Sequence, residues 1–105
     1  MNKYKLPWHV RQFVKQELND YNRNKQRIAM LKGNTKSLIL ANERINQIEK
    51  VFDSLNAEDR EVAELIFVRH YSQKKAEIMS GISYRMYYNA MNKILYLTAE
   101  EMELI

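Results

Sequence analysis

Residues Leu55 to Leu97, LNAEDREVAELIFVRHYSQKKAEIMSGISYRMYYNAMNKILYL, decide the fold. Asn56, Ser72 and Ser83 are polar residues of the kind that cap helix starts, and each precedes a run with apolar residues three and four apart. The stretch therefore reads as three consecutive short helices, the last two joined by a tight Ser80-Gly81-Ile82 turn. That is helix-turn-helix spacing. The helix opened by Ser83 has an inward stripe of Tyr87, Ala90, Met91, Ile94 and Leu97, and carries Tyr84, Arg85, Tyr88, Asn89, Asn92 and Lys93 on its other face. A helix of this kind suits a DNA major groove.

Upstream, the spacing predicts a long first helix from about Pro7 to Lys32, with Val10, Phe13, Val14, Leu18, Tyr21, Ile28 and Leu31 on its apolar side and a polar gap over Asn22 to Lys25. Gly33 supplies a left-handed helix stop, and Asn34 or Thr35 a cap for the next helix. That second helix carries the seam Leu38, Ala41, Ile45, Ile48, Phe52 and Leu55, which packs on the first as an antiparallel hairpin or pairs between chains. Helix three, about Ala57 to His70, turns Val62, Leu65, Ile66 and the stem of Arg69 inward. Ala76 and Met79 form the inner face of the fourth helix, and the tail from Thr98 makes a last short turn. The fold class is all-α, with a basic hairpin over residues 1–54 for packing or oligomerisation and a helix-turn-helix unit with a short acidic tail over 55–105.

Charge bears on function through its distribution. The net charge is +4 over 105 residues, but residues 1–50 hold eleven Lys or Arg against four Asp or Glu, and residues 51–105 hold six against nine. An acidic half is a poor match for phosphates unless the acids are set apart. Between Arg69 and Lys93 there are five cations and only Glu77, while the other acids lie on the preceding helix and in the tail.

Several function classes drop out. Without cysteine there is no disulfide framework or thiolate zinc site, and the apolar runs are far below membrane-spanning length, which gives the expectation of a soluble cytoplasmic protein with no membrane partner. Ser72 and Lys75 match a Ser-x-x-Lys nucleophile spacing, yet no second element follows. Glu58, Asp59, Glu61 and Glu64 cluster without a histidine in register and read as a solvated face. No phosphate-cradling glycine loop is present. The expectation is a protein that is not an enzyme, with no cofactor, no metal and no small-molecule ligand. Trp8 and His9 read either as a partner-binding knob or as the closure of the core, and His70 as a cation at the end of helix three.

In the DNA reading, Arg85 bonds guanine, Asn89 or Asn92 bonds adenine, and Lys74, Lys75, Lys93 and the phenols of Tyr84 and Tyr88 hold phosphates. The competing reading of the same pattern is an ordinary helical bundle with a solvated polar face. The basic residues of the first helix read more readily as a solvated face than as a second DNA contact.

The segment LNAEDREVAELIFVRHYSQKKAEIMSGIS resembles the fourth region of bacterial sigma factors, in its Leu before a polar cap, its Arg-Glu-Val, its aliphatic run and its Gly-Ile-Ser turn. With a basic helical N-terminal half, the chain is similar to phage late-transcription regulators of the RinA and ArpU type. The resemblance implies a prophage-type late-gene activator in which Ser83 caps the recognition helix, Tyr84, Arg85 and Tyr88 face the groove, and Ala76, Met79 and Ile82 are scaffold. The chain departs from the usual pattern at one point: Ala76 lies six residues before Ile82 rather than five. Either the turn is one residue longer, which is the preferred reading, or Glu77 takes the small residue's place. The partners expected are double-stranded DNA, a second copy of the chain and RNA polymerase. The alternatives are a small terminase subunit for DNA packaging and a helical protein-interaction module that never touches DNA.

Overall fold

The computed structural model describes residues 4–30 and 36–105, which form α1 (Trp8–Asn19), α2 (Tyr21–Met30), α3 (Lys36–Ser54), α4 (Ala57–Ala63), a π-helical segment (Glu64–Val68), α5 (Gln73–Ser80) and α6 (Tyr84–Glu101). No strand occurs among the described residues, so the fold is all-α. The expected stop at Gly33 and cap at Asn34 or Thr35 lie outside the described residues.

Three of the expected caps form. Asn56 Oδ1 accepts from the Asp59 amide at 2.9 Å, Ser72 Oγ from Lys75 at 3.1 Å and Ser83 Oγ from Met86 at 3.1 Å, each satisfying a donor that the first helical turn leaves without an intrahelical partner. Asn56 has Glu58 and Asp59 in the turn behind it, where their charge meets the positive end of the helix dipole. At the other end of the preceding helix, the Arg60 guanidinium donates to the carbonyls of Phe52, Asp53 and Leu55 at 2.9 to 3.4 Å. One side chain thus closes α3 and fixes the corner into α4.

The long first helix is divided at Asp20, whose backbone (φ −85°, ψ −3°) departs from helical values and whose carboxylate accepts from Gln16 and Arg23. The Asp20 amide still bonds Gln16 O at 3.0 Å and its carbonyl accepts from Asn24 at 2.9 Å, so the interruption is local; on either side of it α1 lies against α6 and α2 along α3. Tyr21 at the start of α2 meets Glu49 and Phe52 late in α3, while Arg27 shares a groove with Leu40 and Ala41 early in α3, so α2 and α3 run in opposite directions. The Tyr21 hydroxyl donates to Glu49 Oε2 at 2.8 Å, and Lys25 Nζ sits 3.4 Å from the same oxygen. Burial foremost, then the bond to Glu49, raises the Tyr21 phenol above its ordinary value and keeps it neutral.

The expected seam is used within the chain: Ala41, Ile45, Ile48 and Leu55 are buried and Leu38 and Phe52 half-buried, and Val51, outside that seam, is buried as well where α3 packs on α2 and α6. Helix three differs more from its expected form. It widens into π geometry at Glu64–Val68, with the Arg69 amide bonded to the Glu64 carbonyl at 2.9 Å, and this slip of register turns Phe67 fully inward. Arg69, expected to lay its stem inward, is exposed and faces Glu64 at 3.7 Å. The segment ends with His70 in the left-handed region (φ 56°), the Tyr71 amide reaching back to Leu65 O at 2.9 Å, and the Asn22 amide donating to Val68 O from α2.

α6 is the helix around which the others assemble. α1, α3 and α4 all pack on it, and Ala90, Met91, Asn92, Ile94, Leu95, Thr98 and Ala99 are buried, more of its surface than the expected single stripe. The helix continues through Thr98 to Glu101 instead of ending in a separate turn. The Lys50–Glu101 and Lys93–Asp59 pairs, at 3.2 and 3.1 Å, tie it to α3 and α4. A single hydrophobic cluster joins Val14 and Leu18 of α1, Ile45 and Ile48 of α3, Phe67 and Ile94.

Ile94→Ala is expected to cost about 2–5 kcal/mol in urea unfolding, because the cavity opens where three helices meet. Tyr88→Ala, on the exposed part of the same helix, is expected to change stability by less than about 0.5 kcal/mol.

Candidate nucleic-acid interface

α5 and α6 are joined by Gly81, Ile82 and Ser83. Gly81 takes the left-handed conformation (φ 68°) and its amide closes α5 on Glu77 O at 3.0 Å. An L side chain there would be strained, which is why glycine suits this turn. Ile82 is buried and anchors the turn in the core, and Ser83 opens α6.

The position of Ala76 bears on the register of this unit. Ala76 is fully buried and is the buried residue of α5, while Glu77 is half-buried, so the small position beneath the turn is held by Ala76. Met79 differs from its expected place on the inner face: it is 64% exposed, beside an equally open Ile78. α5 seats on the π segment through the face of Ala76, and the faces of Ile78 and Met79 are left open.

Seven of the nine candidate contact residues lie on the outside: Lys74, Lys75, Ser83, Tyr84, Arg85, Tyr88 and Asn89. Lys74 and Arg85 have no ionic partner among the described residues. Lys75 Nζ lies 4.3 Å over the Tyr71 ring, which positions its charge beside the N-terminus of α5. The Tyr84 and Tyr88 rings stack at 6.1 Å with planes 17° apart and are 62% and 49% exposed. Ser83 Oγ is engaged in its cap.

The other two are turned away from solvent. Asn92 is only 4% exposed, and its Oδ1 accepts from the Arg11 guanidinium of α1 at 2.8 Å. On the helix wheel Asn92 continues the face of Arg85 and Tyr88, but α1 crosses α6 at that height and covers it. It is therefore removed from the base-facing set. Lys93 is half-buried in its pair with Asp59 and is likewise committed within the fold.

Arg11 is the residue at this site that the sequence did not single out. It was one cation among eleven in the first half, and only the path of α1 over α6 sets it apart. Burial raises the nearby Tyr87 phenol, with Arg11 acting in the opposite sense. Trp8, 74% exposed, does not close the core. Among the described residues no group of three or more His, Asp or Glu gathers as a metal site, and no helix is long and apolar enough to cross a membrane.

No protein family, curated protein or solved structure was found to match the chain.

The Asn92 Nδ2 atom is buried without a hydrogen-bond partner. Asn92→Leu combined with Arg11→Met, which replaces both partners by apolar side chains, is expected to be close to neutral in thermal unfolding. Arg11→Ala alone, which strips the partner from Oδ1 and leaves Asn92 buried, is expected to cost about 1–3 kcal/mol.

Proposed function

We propose that the chain is a sequence-specific DNA-binding transcription regulator that reads the major groove with the first two turns of α6, Tyr84 to Asn89. The observation that carries this reading is the division of α6. Its second half is enclosed by three helices, while its first half presents Tyr84, Arg85, Tyr88 and Asn89 to solvent directly after a glycine turn. Helix-turn-helix proteins contact bases with the N-terminal residues of the second helix while the first helix braces on the backbone. Here Arg85 is suited to a guanine edge and Asn89 to an adenine edge, and Lys74, Lys75 and the N-termini of both helices favour phosphates.

The resemblance to sigma region four and to RinA- and ArpU-type regulators supports a phage or prophage late-gene activator working in the cytoplasm of a bacterial host. Contact with RNA polymerase and action as a homo-oligomer, most simply a dimer, belong to the same reading, because one short helix gives little affinity alone.

Selection of bound duplexes from a random pool tests this, followed by affinity measurements on the selected site. Arg85→Ala is expected to lose about 5- to 150-fold on that site and little on random duplex. Lys74→Ala is expected to weaken both alike and to reduce the salt slope by about one. Absence of binding to random duplex at low salt and micromolar protein would contradict the proposal and favour a protein-interaction module, for which the open Ile78 and Met79 would be the contact. A ring of many subunits would favour a small terminase subunit.

A further inference from the structure

α1, α2 and α3 enclose an open groove of about 450 Å³ away from α5 and the start of α6. Residues at helical spacing line it on each side: Phe13 and Glu17 from α1, Arg27 from α2, Leu40 and Arg44 from α3. Phe13 belongs to the apolar stripe of its helix, yet it remains 43% exposed, and Leu40 is 54% exposed. The Arg44 guanidinium lies 5.8 Å over the Phe13 ring, leaving the floor apolar and the rim charged. Arg23 is paired with Asp20, but Glu17, Arg27 and Arg44 have no ion pair among the described residues. One groove therefore holds an unpaired anion and two unpaired cations around an apolar floor, one of the cations, Arg44, lying over Phe13.

We infer that this groove is the face by which two copies of the chain associate about a two-fold axis, Phe13 and Leu40 packing on their counterparts and Glu17 of one protomer facing Arg27 of its partner. A two-fold contact requires a patch complementary to itself, and a patch with both signs unpaired meets that requirement where a purely basic or acidic one would not. The α3 seam beyond the groove cannot serve instead, since Ile45 and Ile48 are already buried within the chain. This inference rests on the homo-oligomer of the proposed function and names its face, and association measured without DNA can fail while DNA binding stands.

Sedimentation equilibrium without DNA tests it. The wild-type chain is expected at twice its 12.6 kDa mass, and Leu40→Lys at the monomer mass with unchanged helical circular dichroism. Glu17→Arg and Arg27→Glu are each expected to weaken association about tenfold, and the double variant to regain wild-type affinity to within about threefold. A wild-type monomer at about 100 μM would overturn the proposal. So would assemblies larger than two, or a double variant no better than the single ones.

Discussion

Burial of the second half of α6 is the constraint on which the rest of the structure depends. Ile94, Leu95, Thr98 and Ala99 are inaccessible to solvent because α1, α3 and α4 approach from different sides. Each neighbouring element is shaped to make that approach. The helix is interrupted at Asp20, with α1 following α6 and α2 following α3, and Arg60 holds the corner between α3 and α4. The π segment brings Phe67 into the same core. Apolar burial of this kind is non-directional, and the polar contacts at the corners select one arrangement from those it would allow.

The same constraint sets the length of the exposed face. α6 is 18 residues long, and helices crowd it from Ala90 onward, so a partner can meet only its first two turns. Asn92 marks the limit, since Arg11 of α1 occupies it from the side a partner would have used. Two unpaired cations, a stacked tyrosine pair and two capped helix N-termini remain around the turn. Of the acids of the C-terminal half only Glu77 lies on α5 or the first two turns of α6, while Asp59 is paired with Lys93 and Glu101 with Lys50. This local separation reconciles the acidic balance of residues 51–105 with a nucleic-acid partner.

Local chemistry made much of this legible in the sequence. Asn56, Ser72, Ser83 and Gly81 punctuate the chain because cap geometry depends on a few adjacent residues, and the α3 seam was legible because its period is regular. What depends on the path of a distant element was not legible. Asn92 lies on the same wheel face as Arg85, and only α1 crossing above it distinguishes the two. Met79 sits at core spacing, yet no neighbouring element covers its side of α5, and Phe67 turns inward because one i to i+5 hydrogen bond shifts the register after Ala63. Lys93 shows the same limit, since its partner Asp59 lies 34 positions earlier on another helix.

A backbone-amide NMR titration with duplex DNA decides whether the start of α6 is the face that meets DNA. Shifts are expected to concentrate at residues 72–75 and 83–89, with the enclosed residues 90–99 unperturbed beyond the first turn of contact. Shifts centred on the α1, α2 and α3 surfaces with residues 83–89 silent would contradict it, as would a spectrum that DNA leaves unchanged.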